Sequence, residues 1–449
     1  MKYNITQDIY FKNFITGKPN LSESSKKAYT KSLTKFTKAT QKTLTEIIET
    51  CKNQQDTVTE QIINNENNTT VKRITYFDVN SPDSLIKLYL DVFVDYSLNT
   101  TLNSNRSTNQ NLLLIKTFLK YYEIKLPKIQ KLKDDTSEWH LLEKEDFKFI
   151  MSDSSLTHET LIDFLRVTGM RLSDALNRTI GELMEGTSEY HDFINVDEFI
   201  DNAPSDMICT WKFYPQKTAR YKIPCITFSD PNNVNKLLQL LKKIKNEYLP
   251  KINKQKGTDL TLSKSDALFG SRNTNYKGKI LSKSISTKFW EKNKKLRAWR
   301  IQEIDNLIKD GVISVDDRAK EIEKIPKFHA HACRKFFQTA IARNCGNLRI
   351  CTLLEGHVSP VKTDSSYIKI NVSEVKEAYM AAIPDLSLDN TETKVYTSEI
   401  RREMEAKIKE LESKNQKMES ELSEIDSMKE RILALEKSRP TWNEFIKDD

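Results

Sequence analysis

Six side chains with related chemistry occur in a fixed order in the second half of the chain. They are two arginines, two histidines, a lysine and a tyrosine: Arg171, Lys217, His331, Arg334, His357 and Tyr367. Guanidinium groups match the geometry of phosphate oxygens. A tyrosine hydroxyl can form a covalent ester, and lysine or histidine can protonate a departing oxygen. Together these residue types suit attack on a phosphodiester without a metal ion.

Arg171 lies where one predicted helix ends and the next begins. Gly169 permits a sharp turn, and Ser173 and Asp174 fall in the first turn of the second helix. We therefore expect the guanidinium beside a helix N-terminus, which itself favours a phosphate. Taken alone, the position also suits an ordinary surface arginine between two helices.

His331 and Arg334 are three residues apart, a spacing that places both on one face of a helix. Phe337 is predicted to pack inward. Because His329, His331 and Cys333 alternate, a metal site is the competing interpretation. Alternation brings ligands together on a strand, whereas the flanking periodicity is helical. No further ligand pair in the sequence completes a set of four.

Gly356 and His357 follow an apolar helical run, and a glycine there ends the helix by taking a left-handed conformation. His357 would then lie at a turn, able to donate to a phosphate oxygen or to hold Tyr367. Tyr367 is the expected nucleophile. Its phenol has a reference pKa of about 10, so it needs cationic neighbours to attack as a phenolate. Tyr379 is the more distant alternative.

Lys217 lies between two β-rich runs, which predict a hairpin with this lysine at its tip. The runs are Trp211–Tyr214 and Tyr221–Phe228. Hairpin tips are often lysines, and three other cationic side chains lie nearby as rivals: Lys212, Arg220 and Lys222.

In this order the segments resemble the tyrosine recombinases, the integrase family that cuts and rejoins DNA through a phosphotyrosine. The family's first box is matched by T-G-M-R-L-S-D, its second by H-A-C-R, and its third by G-H followed by a tyrosine. The resemblance covers roughly residues 5–384. The family usually places the tyrosine nine residues after the third-box histidine, whereas here the gap is ten.

The resemblance implies a role for each of the six side chains. Tyr367 would attack the scissile phosphate, leaving a 3′-phosphotyrosine and a free 5′ hydroxyl. The two arginines would hold the non-bridging oxygens, the histidines would assist proton transfer and phosphate binding, and the lysine would protonate the leaving oxygen. No cofactor is implied, because the energy of each ester returns at religation. Two domains would close a C-shaped clamp over double-stranded DNA.

Composition sets broad limits on the class of protein. The 449 residues suffice for two or three domains. With 71 Lys and Arg against 63 Asp and Glu, the net charge of +8 permits a polyanionic partner without demanding one. No apolar run approaches the roughly 20 residues that span a bilayer, and the N-terminus lacks the layout of a signal peptide. Six scattered cysteines then read as reduced thiols, so we expect a cytoplasmic protein.

The periodicities predict a mainly α fold with a small β-sheet. Six segments are expected: a helical core-binding domain at 1–127, a linker at 128–138, a mixed α/β catalytic domain at 139–384, a linker at 385–397, a coiled coil at 398–436 and a tail at 437–449. Residues 52–72 are rich in Gln, Asn and Thr and predict a loop. Residues 291–325 predict a charged helical insertion outside the usual family core.

The N-terminal segment shows a helical face and a lysine stripe. Tyr29, Leu33 and Phe36 recur at the spacing of a buried face. Seven lysines are the expected contacts to DNA phosphates: Lys27, Lys31, Lys35, Lys38 and Lys42, with Lys116 and Lys120 on a later helix. Such contacts would position the protein without reading bases. A solvated helix face explains the stripe equally simply.

Heptad spacing near the C-terminus predicts self-association. The core positions are Ile408, Leu411, Asn415, Met418, Leu422 and Ile425, and the pattern resumes after a phase slip at Met428, Ile432 and Leu435. Family members assemble as tetramers on two duplexes, so the resemblance implies a homotetramer that the coiled coil would help to build. The alternative is a single helix folded onto its own domain.

Three other functions fit parts of the pattern. A type IB topoisomerase shares the chemistry but relaxes any supercoiled DNA as a monomer. A degenerate recombinase would bind DNA without cutting it, and a coiled-coil scaffold would have no DNA role. The sequence does not disclose the target site, because specificity depends on contacts at base edges and on DNA shape.

Overall fold

The computed structural model describes residues 3–64, 70–133, 140–217, 224–356 and 371–388, with short pieces of helix between 407 and 431. The chain divides into two units, Met1–Glu138 and Trp139–Asp449.

The described part of the first unit is mainly helical. Its elements are α1 (Ile9–Thr16), α2 (Glu23–Thr40), α3 (Leu44–Gln55), β1 (Val58–Asn64), β2 (Thr70–Tyr76), α4 (Leu85–Asp95) and α5 (Asn105–Tyr121). Short polar side chains begin these helices, as N-caps should. Ser22 accepts from the backbone N–H of Ser25 at the start of α2, and Thr43 forms a capping box with Glu46 at the start of α3.

One apolar core holds the first unit together. Tyr29, Leu33 and Phe36 are buried, which confirms the predicted inner face of α2. Ile115 and Leu119 are buried on α5 and meet that face in the same cluster. The helical period of the apolar residues therefore sets which sides of α2 and α5 pack.

The loop predicted over residues 52–72 is wrong. Helix α3 continues to Gln55, and the backbone of β1 pairs antiparallel with β2, from Val58 opposite Tyr76 to Asn64 opposite Thr70. Polar composition concealed the pairing, because the Thr, Val and Ile residues that favour strands stand among Asn and Gln. The first unit is therefore not purely helical.

The second unit is larger and also mainly helical. Its helices begin with α6 (Lys144–Ser152), α7 (Leu156–Thr168), α8 (Leu172–Ala175), α9 (Ile180–Gly186) and α10 (Val196–Asn202). The strands β3 (Cys209–Phe213) and β4 (Cys225–Ser229) follow. The remaining helices are α11 (Pro231–Lys243), α12 (Leu249–Lys256), α13 (Ser282–Lys309), α14 (Arg318–Lys324), α15 (Ala330–Asn344), α16 (Leu348–Leu354) and α17 (Val372–Leu386).

Helix α7 is the centre of this unit. Its nine residues Thr160–Thr168 are all buried, and it packs against α11, α15 and β4. A helix that is buried all round needs partners for its polar groups. Arg166 and Asp163 form a buried ion pair at 2.5 Å, and the amide of Asn233 donates to Asp163 at 3.0 Å.

The strands β3 and β4 pair as predicted, while residues 218–223, at the start of the second predicted run and before it, lie outside the described residues. They pair antiparallel, with Cys209 opposite Ser229 and Phe213 opposite Cys225. Every residue of β4 is buried, whereas β3 alternates between buried and more exposed side chains. The described residues thus contain two two-stranded sheets in a mainly α fold, one more sheet than the sequence predicted.

The charged insertion predicted at 291–325 does not begin at a boundary. Helix α13 runs unbroken from Ser282 to Lys309, and Ile285, Phe289 and Leu296 bury its inner face. Trp299 continues this face by stacking on Phe149, with ring centroids 4.6 Å apart. The many charged residues after 291 suggested a separate insertion, whereas they lie on a single long helix whose first half packs in the core.

Most of the predicted coiled coil lies outside the described residues. The described pieces between 407 and 431 are helical, and Met418 and Met428 are exposed. Lys414 and Glu410 form an ion pair at 2.7 Å on this helix. Among the described residues, no helix combines the length and apolar character needed to cross a membrane.

Candidate functional site

Arg334 joins three segments that are far apart in the chain. It lies on the first turns of α15 and is only 2% exposed. Its Nη1 donates to the backbone carbonyl of Gly169 at 2.7 Å, and its Nη2 donates to the backbone carbonyl of Glu355. The guanidinium therefore fixes the turn before α8 and the end of α16 at one point. A planar group with several fixed donors suits this bridging better than a lysine would.

The turn before Arg171 is seated on α15. Gly169 has a φ of +62°, and a Cβ at this position would lie 2.2 Å from the ring of Phe337. Glycine is needed here both for its left-handed backbone and for this close approach. The predicted turn is thus confirmed, and its position on α15 brings Arg171 towards Arg334.

Arg171 is the N-cap residue of α8 and keeps hydrogen-bonding capacity unused. Its Nη1 lies 4.0 Å from Oδ2 of Asp174 and has no hydrogen-bond partner among the described residues. Helix α8 has only four residues, so the helix-dipole support predicted for a phosphate here is small. The attraction for an anion must come from the guanidinium groups themselves.

Arg171 lies close enough to Arg334 to affect its pKa. Burial, followed by the positive charge of Arg171, lowers the pKa of Arg334 to about 10. Arg334 remains charged at neutral pH, so two guanidinium groups are held together at some electrostatic cost. A bound phosphate would relieve this repulsion.

His331 is the exposed member of the same cluster. It lies one helical turn before Arg334 on α15. Burial, then Arg334, His329, Lys335 and Arg171 lower its pKa. The neutral imidazole is therefore favoured at neutral pH, and it can accept a proton or donate a hydrogen bond.

His329 and Cys333 have other roles on α15. His329 caps the helix by accepting from the backbone N–H of Ala332 at 3.1 Å, and Cys333 is fully buried. Within the described ranges, no group of three or more His, Cys, Asp or Glu side chains could hold a metal ion.

Lys217 lies in the turn that follows β3. Its side chain is exposed, and the backbone N–H of the preceding Gln216 donates to Oδ1 of Asp174 at 3.0 Å. This hydrogen bond ties the base of the lysine turn to α8, directly beside Arg171. Of the rival cations, Lys212 is exposed on β3, whereas Arg220 and Lys222 lie outside the described residues.

The end of α16 packs against the turn end of the β3–β4 pair. Gly356 has a φ of +58°, as predicted for a glycine that ends a helix. A Cβ there would lie 2.9 Å from both Cys225 Cβ and Pro215 Cγ. His357 and Tyr367, the next two predicted site residues, lie outside the described residues.

Tyr379 is unsuited to be the nucleophile. It is completely buried on α17, with its ring centroid 5.3 Å from that of Phe228 and 6.4 Å from that of Phe337. Burial raises its pKa well above the usual value, which disfavours the phenolate. Packing in the core is therefore a sufficient role for this tyrosine, and no catalytic role is needed to explain it.

The predicted phosphate contacts fall on α2 and α5. Lys27, Lys31 and Lys38 are exposed on α2, while Lys42 lies beyond the end of that helix. Lys35 is partly buried and donates to the side-chain oxygen of Asn103 at 3.3 Å.

The lysines of each helix are close to one another. Burial and then Lys31 lower the pKa of Lys35, and burial and then Lys120 lower the pKa of Lys116. Ser32 on α2 donates to Asn111 on α5 at 2.7 Å, so the two helices lie side by side. Like charges held together in this way favour a polyanion.

The sequence did not reveal the side chains that connect the site. Asp174 stands in the first box but had no assigned role, and here it links Arg171 to the turn of Lys217. Gln338 and Glu355 also join α15 to the end of α16. These contacts are separated by many residues in the chain, so no local pattern could have indicated them.

Comparison with known proteins gives a similarity only at the level of three-dimensional structure. No family model matches the chain, and no curated protein sequence is significantly similar to it. Among solved structures, the XerA recombinase is 15% identical over 83% of this chain and 95% of its own, with a TM-score of 0.27.

Two further structures have somewhat higher TM-scores. The XerH site-specific recombinase bound to palindromic difH DNA is 14% identical over 84% of this chain and 83% of its own, with a TM-score of 0.41. The Tn1549 transposon integrase in complex with transposon right-end DNA is 15% identical over 84% of this chain and 98% of its own, with a TM-score of 0.42. At such identities and TM-scores the chain is similar to these proteins only loosely, and its chemistry must be argued from its own side chains.

Proposed function

We propose that this protein is a site-specific DNA recombinase that breaks and rejoins DNA through a 3′-phosphotyrosine on Tyr367. The observation that carries the proposal is the junction at Arg334, which holds Arg171, His331 and the end of α16 in one place. Cations gathered in this way, with donors left unused, suit a phosphodiester.

The geometry supports different roles in phosphate binding for the two arginines. Arg334 is buried and donates hydrogen bonds to two backbone carbonyls, so its position is fixed before DNA binds. Arg171 is more exposed and has an unused Nη1. We assign both to the non-bridging oxygens, with Arg334 as the rigid anchor and Arg171 as the adaptable donor.

The remaining roles complete the reaction. Tyr367 would attack the phosphate, and Lys217, on its exposed turn, would protonate the 5′ oxygen that leaves. His331, neutral at physiological pH, would accept the phenolic proton of Tyr367 during cleavage and return it at religation. His357 would help to hold the phosphate. The products of the first step are a 3′-phosphotyrosine and a free 5′ hydroxyl, and religation reverses it. No metal or nucleotide takes part in this scheme.

The biological setting is part of the same proposal. Double-stranded DNA is the partner, and α2 and α5 contact its phosphates. A homotetramer on two DNA sites, assisted by residues 398–436, would carry out exchange for a mobile element in the cytoplasm.

Trapping the intermediate tests the proposal. The purified protein is incubated with fragmented genomic DNA of its source, denatured, and examined for DNA that stays bound through a covalent link. We expect adducts from the wild type and from Tyr379→Phe, a control at a buried site, and none from Tyr367→Phe. Sequencing the trapped DNA should return one recurrent site. Adducts from Tyr367→Phe would refute the assignment, and sites scattered at random would favour a topoisomerase.

A further inference from the structure

A pair of side chains holds the end of α16 against α15. Gln338 Nε2 donates to Oε2 of Glu355 at 2.8 Å. Gln338 lies one helical turn after Arg334, on the same face of α15. Arg334 itself donates to the backbone carbonyl of Glu355. Glu355 is therefore fixed to α15 at two points, through its main chain and through its side chain.

We propose that Gln338 and Glu355 are positioning residues for DNA cleavage. They keep the end of α16 in register with the Arg334 guanidinium. His357 is the second residue after Glu355, and the nucleophile Tyr367 follows in the same segment. The inference rests on the proposed function, because cleavage is the step that needs this register.

The glutamate is not explained by helix capping. Glu355 is the C-cap residue of α16, where the backbone carbonyls disfavour a negative charge. Its carboxylate instead accepts a hydrogen bond from Gln338 and opposes the effect of burial by raising the pKa of Arg334. The charge thus supports the anchoring arginine, and the hydrogen bond supports the turn.

The next residue leaves the chain little freedom. Gly356 is left-handed and lies against Cys225 and Pro215, with no room for a Cβ. A shift of Glu355 would therefore disturb the packing of Gly356 against Cys225 and Pro215. A misplacement of about 1 Å in a reacting group can cost on the order of 100-fold in rate.

Four variants test the pair: Gln338→Ala, Glu355→Leu, Glu355→Gln and the double variant Gln338→Ala/Glu355→Leu. The substrate is a nicked duplex that carries the site recovered by adduct sequencing. The readouts are the first-order rate of adduct formation at saturating DNA, the Kd at fixed salt, and the thermal unfolding midpoint. The rate at saturation separates positioning from binding, because a positioning defect leaves the Kd unchanged.

We expect Gln338→Ala and Glu355→Leu each to slow adduct formation about 10-fold, with Kd within about 3-fold of the wild type. Glu355→Gln should keep a rate within about 3-fold, because its amide oxygen still accepts from Gln338. The charge that it removes is a small part of the support of Arg334, which two backbone carbonyls still hold. The double variant should be no slower than the slower single variant, because both changes remove the same contact.

The outcome separates this inference from the proposed function. Single variants that cleave at the wild-type rate, or losses that multiply in the double variant, would overturn the positioning role. A wild type that forms no adduct would overturn the proposed function itself. Hydrogen exchange gives a further check: the backbone N–H groups of Glu355 and Gly356 should exchange faster in Gln338→Ala, and unchanged exchange would contradict the contact.

Discussion

At the scale of single residues, the fixed arginine is the feature from which the chemistry follows. Arg334 is buried, yet two backbone carbonyls and the neighbouring Glu355 carboxylate compensate its charge. A buried cation needs such partners to remain charged. Because the supporting groups are mainly backbone, the guanidinium keeps its place at the junction.

A second buried polar cluster in the same unit has consequences for stability. Asp230 caps α11 by accepting from the backbone N–H of Asn233 at 2.8 Å. Burial and then the nearby Asp163 carboxylate raise the pKa of Asp230 to about 6. Since this pKa is above its unfolded value, the folded protein binds the proton more tightly. The resulting stabilisation is present below about pH 4 and is lost as the pH rises through about 6.

We therefore expect Asp230→Asn to stabilise the protein at pH 8 by an amount on the order of 2 kcal/mol, and by little at pH 4. Asparagine keeps the N-cap while removing the buried charge. Urea unfolding at both pH values measures the difference.

Asp163→Asn is the matched control for this prediction. Burial opposes ionisation of Asp163, but Arg166 and Lys236 outweigh it and lower the pKa. Its neutralisation would leave Arg166 poorly paired in the core and should destabilise at pH 8 by about 3 kcal/mol or more. Loss of stability in Asp230→Asn at pH 8 would contradict the account.

At the scale of elements, two left-handed glycines end helices next to predicted site residues in the chain. Gly169 and Gly356 each take a left-handed conformation that was predictable from their place after an apolar helix. The surfaces they pack against were not predictable, because Phe337 and Cys225 are distant in the chain. Periodicity likewise predicted the buried face of α2 and the β3–β4 hairpin. It missed the pairing of β1 with β2, because the polar composition of this segment suggested a loop. It also placed a boundary inside α13, at the point where the density of charged residues rises.

Substitution of Gly356 separates backbone strain from steric conflict. Gly356→Ala should destabilise by the cost of a left-handed alanine, about 1–2 kcal/mol, plus a further 1–3 kcal/mol for the clash with Cys225 and Pro215. Gly311 offers a control, because its φ is +72° and a Cβ there meets no atom within 4 Å.

Gly311→Ala should therefore show only the backbone cost, as measured by urea unfolding. Its rate of adduct formation should remain close to that of the wild type, whereas Gly356→Ala should be slow even below its unfolding midpoint. Equal losses of stability in the two variants would show that α16 does not need the close packing described for its end.

At the scale of the whole molecule, a modest net charge conceals a local concentration of lysines. The chain carries +8 overall, yet α2 alone presents Lys27, Lys31 and Lys38 on its exposed surface. Each phosphate contact releases condensed counterions. A plot of the logarithm of the binding constant against the logarithm of the salt concentration therefore falls with a slope of about 0.9 for each contact. Changing these three lysines to glutamine should therefore reduce the salt slope by about 2.7 and weaken binding to any duplex.

Three exposed lysines on α12, Lys251, Lys254 and Lys256, provide a control with the same loss of charge. Their substitution by glutamine should leave the salt slope unchanged if α12 does not touch DNA. Identical slopes for both triple variants would mean that α2 acts only through the overall charge.

The most direct measurement of the central claim is the identity of the residue that carries the DNA. After digestion of the trapped complex, mass spectrometry should find a nucleotide joined through its 3′ phosphate to the peptide that contains Tyr367, and the cut strand should bear a free 5′ hydroxyl. A 5′-linked nucleotide, or an adduct on any other side chain, would contradict the account.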